Sequence, residues 1–213
     1  MSNPIQTLRQ RGLLQDHTDE ESLVEHLTTD RRTFYVGFDP TAPSLHVGNL
    51  AGLMVMAWLQ RAGHRPIALA GGATGRIGDP SFRDEERHLM SDEEVERNLE
   101  GIRRDFGRVL DMSSAVLVDN YERTKDVTVL DFLRDIGKHF SVNQLISREA
   151  IRRRMEEREQ GISYTEFSYT LLQAMDYDHL YRTYGCTLQG GGSDQWGNIL
   201  SGVDLIRRRH GAQ

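Results

Sequence analysis

Cysteine is almost absent from this sequence: Cys186 is the only one in 213 residues. One thiol excludes a disulfide framework, and with the histidines scattered it leaves no zinc-ligand spacing. Proline is scarce too, at five residues, and no repeat, low-complexity tract or Pro/Gly-rich linker marks an internal boundary. Long apolar runs are missing, so nothing approaches the roughly 20 residues of a membrane span. The opening Met1-Ser2-Asn3-Pro4-Ile5 lacks the basic stretch and apolar core of a secretory leader. These absences predict one globular unit in a reducing, cytoplasmic setting.

A global excess of positive charge is also lacking. Lys and Arg number 26 against 32 Asp and Glu, a net charge of -6, which gives no overall footprint for nucleic acid. Two local basic clusters, Arg152-Arg153-Arg154 and Arg207-Arg208-Arg209, fit the usual reading of such runs as solvated helix faces. What is present is ordinary globular composition, 38% hydrophobic and 27% charged, long enough to bury a core. A mean hydropathy of -0.55 points to a helix-rich, charged exterior.

Several common chemistries have no motif here. There is no Gly-x-x-x-x-Gly-Lys-[Ser/Thr] phosphate loop, no Gly-x-Gly-x-x-Gly after a strand and no His-Glu-x-x-His. Gly191-Gly192-Ser193-Asp194-Gln195 misses a nucleophile elbow because its last position is glutamine. Ordinary kinases, dehydrogenases, serine hydrolases and zinc enzymes lose support.

Periodicity predicts helices over Gln6 to Leu14 and Glu20 to Thr28, then a buried strand at Thr33 to Phe38. A helix from Leu50 to Ala62 and a strand at Pro66 to Ala70 complete a βαβ unit. A helix from Asp92 to Leu110, a strand at Ala115 to Val118 and helices from Val127 to Asp178 follow. The last unit is a strand at Cys186 to Gln189 and a helix from about Gln195 to Arg209. The predicted class is α/β: a Rossmann-type parallel sheet flanked by helices, with a mostly helical insertion over about 122–182 in a single domain.

Ligands of open parallel sheets sit beyond the carboxyl ends of the strands, and three polar loops follow three of these strands. The first, Asp39 to Asn49, has small residues that admit a phosphate chain and leads straight into a helix. A loop histidine such as His46 is more often a structural hydrogen-bonder than a catalytic group, and its place just before Gly48 and a helix start adds weight to the second. The second loop, Gly71 to Asp79, is either a tight connection or a site where Asp79 captures an ammonium group. The third, Gln189 to Asn198, stacks three glycines against Asp194 and Gln195, suited either to ribose hydroxyls or to a capped turn.

Taken together, Tyr35-Val36-Gly37-Phe38-Asp39-Pro40-Thr41, Leu45-His46-Val47-Gly48-Asn49, Gly71-Gly72-Ala73-Thr74-Gly75, Gly78-Asp79-Pro80-Ser81 and Gly191 to Asn198 resemble the bacterial tyrosyl-tRNA synthetases. Gly137 to Asn143 and Phe167-Ser168-Tyr169 with Gln173 and Asp176 resemble the same family. The likeness runs in order from about residue 5 to the end, which is more specific than any one motif.

That resemblance implies a class I catalytic domain whose substrates are L-tyrosine and ATP accompanied by Mg²⁺, with no tightly bound cofactor and no resident metal site. It implies tRNA(Tyr) as acceptor, no membrane partner and a homodimer with a surface near Phe132 to Asn143 and Tyr164, where the recurring apolar residues fit either that surface or intramolecular core. Tyr35 and Asp176 are expected at the phenolic hydroxyl; Asp79, Tyr169 and Gln173 at the α-ammonium; Gln195 at the carboxyl group, with Asn120 farther out. A buried hydroxyl-binding pair left unpaired by phenylalanine is heavily penalised, an effect for which this family is itself the usual example. Gly37, Asp39, Gly48, Asn49, Gly192 and Asp194 are expected around the nucleotide, and Thr41, His46 and Asn49 carry the catalytic role at the phosphates. His46-Val47-Gly48-Asn49 stands where the family has His-Ile-Gly-His, so Asn49 replaces the second histidine and offers an amide donor instead. A Lys-Met-Ser-Lys-Ser-like loop and an anticodon-binding region do not occur in these 213 residues, and the resemblance implies a catalytic half of a longer protein. The competing expectations are a tryptophanyl relative, against which Tyr35 with Asp176 argues, and a non-catalytic binding module of the same fold.

Overall fold

Four short strands, β1 (Thr33–Phe38), β2 (Arg65–Ala70), β3 (Val116–Asp119) and β4 (Cys186–Gly190), pair in parallel in the order β3-β2-β1-β4. They come from a computed structural model that describes residues 3–79, 90–147, 151, 152, 155 and 162–212. Pro80, Ser81, Arg153 and Arg154, which the sequence reading singled out, lie outside the described residues. Parallel pairing demands crossovers, and helices supply them on both faces.

The period-two alternation of β1 divides the core. Phe34, Val36 and Phe38 point to one face and pack with Ala68 and Ala70 of β2 against α1 (Pro4–Gln10), α2 (Glu20–Thr29), α3 (Val47–Arg61) and, beyond the short α4 (Thr74–Ile77), α5 (Asp92–Val109). Tyr35 points to the other face, where Ile67, Leu69, Tyr177, Leu180, Cys186 and Ile206 form a second cluster. Fully buried side chains such as Phe34, Leu99 and Phe106 each contribute about 1.5–3 kcal/mol of burial.

Between β3 and β4 the chain runs through α6 (Tyr121–Thr124), α7 (Val129–Asp131), α8 (Val142–Ile146) and α9 (Tyr164–Tyr184), and α10 (Trp196–His210) follows β4. The continuous helical stretch expected from Val127 is broken. A π-turn at Phe132–Ile136 and a 3₁₀ turn at Gly137–His139 interrupt it. α9 is apolar on more than one side because one side meets the sheet while Leu171, Ala174 and Met175 pack on Ile136, Leu145 and Leu205. It is capped at its start by Ser163 and at its end by Gly185, whose φ of 61° is a left-handed conformation that glycine adopts without strain. Buried Asp178 accepts from Arg209 at 2.7 Å and pairs with His210 Nε2 at 2.7 Å, lashing the C-terminal end of α10 to α9.

The strand order reverses beside β1: β2 follows it on one side and β4 lies on the other. That reversal opens a crevice at the carboxyl ends of β1 and β4, flanked by the loop after β1 and the loop after β4. α5 fixes the first loop, since Asn98 donates to the Pro40 carbonyl at 2.9 Å and Asp105 accepts from Leu45 N at 2.9 Å. Gly101 of α5 is required here, because a β-carbon at that position would collide with the Pro43 carbonyl oxygen.

Candidate active site

The crevice opens into a cavity of about 640 Å³. Its walls include Tyr35, Gly37, Asp39, Thr41, His46, Gly48, Asn49, Asp79, Tyr169, Gln173, Asp176, Gly192, Asp194 and Gln195, gathered from β1, α3, α9 and the loops after β1, β2 and β4. Of the residues expected at the site only Asn120 lies off this wall. It sits one layer behind, donating to Asp176 Oδ2 at 2.9 Å.

The deep end is dehydrated. Tyr35 is 1% exposed and Asp176 2% exposed. Burial, and next the nearby Asp176 charge, push the Tyr35 phenol well above the ordinary tyrosine range, so it stays protonated. Burial likewise raises the Asp176 carboxyl, opposed first by the charge of Arg123 and then by the Asn120 hydrogen bond. Tyr35 Oη, Gln173 Oε1 and Gln189 Oε1 are buried with no hydrogen-bond partner in the protein. Buried polar atoms without partners are costly, so three among the residues lining one cavity suit a polar ligand.

Midway along the cavity the polar groups are already tied to one another. Gln195 Nε2 donates to Asp79 Oδ2 at 2.6 Å and to Asp194 Oδ2 at 3.0 Å. Asn198 Nδ2 donates to Gln195 Oε1 at 3.2 Å, and Thr170 donates to Asn198 Oδ1 at 2.7 Å, which fixes the amide from behind. Tyr169, expected beside Asp79, donates its hydroxyl to Asp39 Oδ2 at 2.9 Å; Thr74 donates to Asp39 Oδ1 at 2.7 Å. Asp39 therefore stands between the group around Tyr169 and the first loop.

The outer end is exposed and built on the N-terminus of α3, which starts at Val47, three residues earlier than periodicity suggested. His46 is its cap: His46 Nδ1 accepts from Gly48 N at 3.0 Å, while Asn49 Oδ1 accepts from His46 N at 3.0 Å. With Nδ1 accepting, a neutral His46 carries its proton on Nε2 and presents a donor there. Asn49, expected to offer a donor, uses its oxygen in the cap, which leaves the Nδ2 amide as its outward group. The helix dipole adds partial positive charge at the same place.

Sequence reasoning missed Arg123, which ion-pairs with Asp176 Oδ1. It missed Thr74, Gln189 and Asn198 as supports. Thr74, Gln189 and Asn198 lay inside quoted loops, whereas Arg123 carried no local signal. Of the basic clusters, Arg209 is occupied by Asp178, and Arg208 donates to the His139 carbonyl and to Gln144 Oε1. Among the described residues no three His, Cys, Asp or Glu side chains converge as metal ligands, and no helix is long and apolar enough to cross a membrane.

Comparison with known proteins matches residues 27–212 to the family of tRNA synthetases class I (W and Y). A tyrosine--tRNA ligase of Escherichia fergusonii is 52% identical over 213 residues, covering 98% of this chain and 50% of that protein. The tyrosine--tRNA ligase of Escherichia coli K12 matches to the same extent. The chain thus spans about half the length of the curated relatives it matches. Among solved structures, a C-terminally truncated mitochondrial tyrosyl-tRNA synthetase of Aspergillus nidulans superposes with a TM-score of 0.85 at 33% identity, over 97% of this chain and 61% of that one. A tyrosyl-tRNA synthetase of Archaeoglobus fulgidus complexed with L-tyrosine superposes with a TM-score of 0.68 at 25% identity, over 88% of this chain and 54% of that one. A four-stranded parallel sheet, a crevice at its switch point and a family match over most of the chain agree: this chain belongs to the class I tRNA synthetases of the tryptophan and tyrosine type.

Proposed function

We propose that this chain carries the tyrosine pocket and most of the ATP site of a tyrosine-tRNA ligase, which joins L-tyrosine to AMP and then to tRNA(Tyr). The observation that carries the choice of amino acid is the unpartnered hydroxyl of Tyr35, buried near the Asp176 carboxylate at the closed end of the cavity. A phenol hydroxyl gives Tyr35 Oη the partner it lacks in the protein and donates to Asp176; phenylalanine leaves Tyr35 Oη unpaired, and an indole presents its N–H at a different reach. This argues against the tryptophanyl reading, and the intact set Asp79, Tyr169, Gln173, Asp176, Asp194 and Gln195 argues against a non-catalytic module.

In this reading Asp79, Tyr169 and Gln173 surround the α-ammonium, and Gln195 holds the carboxylate. Gly37, Asp39, Gly48, Asn49, Gly192 and Asp194 surround the nucleotide, with Thr41 and His46 at its phosphates. The tyrosine carboxylate attacks the α-phosphate in line, a P–O bond forms and the bond to pyrophosphate breaks. No protein nucleophile is needed; His46 Nε2, the Asn49 amide and the N-terminus of α3 stabilise charge on the phosphates as the transition state expands. Mg²⁺ enters with ATP as part of the substrate.

The segment 122–182 serves as the helical insertion of a single domain. Val129, Leu130, Val142 and Tyr164 are exposed apolar side chains along it, which supports a second copy of the chain as partner there. A cytoplasmic location belongs to the same reading. Isothermal titration with tyrosine, phenylalanine and tryptophan tests it: tyrosine is expected to bind far more tightly than either, and equal affinity for tyrosine and phenylalanine would end the proposal.

A further inference from the structure

Asp176 is a partition. One side of its carboxylate borders the main cavity; the other borders a second cavity of about 310 Å³, lined also by Leu69, Asp119, Glu122, His179 and Tyr184. Through that second cavity Arg123 reaches Asp176 Oδ1 with its side chain 18% exposed. Asn120, one helical turn earlier, takes Oδ2, and is itself pinned by Ala73 N at 2.7 Å and by Thr74. Both oxygens of the deepest carboxylate in the pocket are thus gripped from behind by a single short segment after β3.

We propose that Arg123 is a specificity-determining positioning residue: its ion pair through the back wall holds Asp176 oriented and ionised as the acceptor for a phenol hydroxyl, so that the preference for tyrosine over phenylalanine depends on a guanidinium outside the pocket. The inference rests on the tyrosine reading of the cavity. Removing water from a carboxylate favours its neutral form, and an opposite charge in contact is the strongest local counterweight. A charged acceptor makes a hydrogen bond roughly twice as strong as a neutral one. The other groups facing Asp176 cannot replace Arg123. Asp119, held by Arg103 at 2.9 Å, and Glu122 are acidic; the phenols of Tyr35 and Tyr177 stay protonated, and burial, ahead of any neighbouring charge, holds His179 neutral.

The test compares the full chain with Arg123→Met, which keeps an apolar stem, and Arg123→Lys, which keeps the charge. Tyrosine and phenylalanine affinities are measured by titration calorimetry from pH 5.5 to 8.5. For Arg123→Met, tyrosine affinity at pH 7.5 is expected to fall on the order of tenfold with phenylalanine affinity nearly unchanged, the scale of one lost charge assistance. Its remaining tyrosine affinity should fall further toward acid, at higher pH than in the wild type, because an unaided buried carboxyl protonates sooner. Arg123→Lys should recover most of the preference. If Arg123→Met does not fold, Arg123→Gln decides the matter, since it keeps a donor without the charge. Equal loss for both amino acids with no altered pH profile would make Arg123 a packing brace and overturn the proposal. A wild-type chain without preference for tyrosine would overturn the reading of the pocket itself, whereas a preference untouched by Arg123→Met or Arg123→Gln removes only the role of Arg123.

Discussion

The two ends of the crevice are built on opposite principles. At the closed end Tyr35, Asp176 and Asn120 are 1–2% exposed and held by side chains from separate elements. At the open end Thr41, His46, Gly48, Gly192 and Asp194 are exposed, and the local ties are short-range ones between residues two or three apart. Choosing between two amino acids that differ by one hydroxyl needs dehydrated groups that cannot relax around the wrong ligand. Binding a triphosphate and releasing pyrophosphate needs backbone amides, a helix dipole and access to solvent. In the proposed reading, discrimination and turnover are thus separated along one cavity.

The sharpest way to break this comparison is Asp176→Asn. The substitution is isosteric, removes the charged acceptor and leaves the outer loops untouched. The preference for tyrosine over phenylalanine is expected to fall on the order of 10²-fold, the cost of one strong buried hydrogen bond, with nucleotide affinity unchanged by calorimetry. A parallel loss of nucleotide affinity would mean that the two ends do not act separately.

Gly101→Ala probes the open end from outside the cavity. A β-carbon there meets the Pro43 carbonyl, so the loop from Asp39 to Asn49 must move or α5 must shift. Overpacking of this kind costs about 1–3 kcal/mol. The melting temperature should drop and nucleotide affinity weaken by about tenfold, on the conversion of 1.4 kcal/mol per decade, while tyrosine affinity holds. Loss of tyrosine binding with nucleotide binding preserved would reverse the assignment.

Asp194→Ala should have a smaller and mixed outcome. Nucleotide affinity is expected to fall by the several-fold typical of one hydrogen bond of about 1 kcal/mol, since the proposed reading makes Asp194 a ribose acceptor. Tyrosine affinity falls less, since Asp194 also accepts from Gln195, which keeps its second bond to Asp79. Equal losses in the two titrations would show that the middle of the cavity belongs to neither end.

The open end was the more legible in the sequence. Its loops are glycine-rich or polar strings after apolar runs, and local chemistry decides their shape. Even so, the start of α3 was misplaced, because His46 and Asn49 look like loop residues until one sees them closing a cap around the helix N-terminus. At the closed end, burial could be anticipated for Tyr35 from its strand. The support could not: Arg123 lies in the charged string Tyr121-Glu122-Arg123-Thr124-Lys125-Asp126, which reads as surface, and it meets Asp176 only because β3 and α9 converge 53 residues apart. The breaks at Phe132–His139 were equally hidden, since a π-turn keeps helix-like spacing and α9 lacks a single apolar stripe.

Acid offers the mildest test, and through His179 it addresses the closed end. His179 borders the second cavity, where burial first and then Arg123 and Arg182 lower its imidazole to about 4 from the ordinary 6.5. Below its unfolded pKa the unfolded chain takes up a proton that the folded chain refuses. The stability associated with neutral His179 is therefore fully present above about pH 6.5 and is lost as pH falls toward 4. His26, His64 and His139 are lowered as well, mainly by burial, and add to the same acid slope. Asp176 works the other way, because its raised carboxyl lets the folded state accept a proton sooner than the unfolded one. Thermal melting of the wild type between pH 7.5 and 4.5 should thus fall with acid, and His179→Gln should flatten that fall slightly without changing tyrosine affinity at pH 7.5. Arg123→Met should flatten it too, since it removes a charge that holds His179 neutral, and the two substitutions together should give less than the sum of their separate effects. Strict additivity would place His179 and Arg123 in separate environments and break the picture of one charged back wall behind the phenol end.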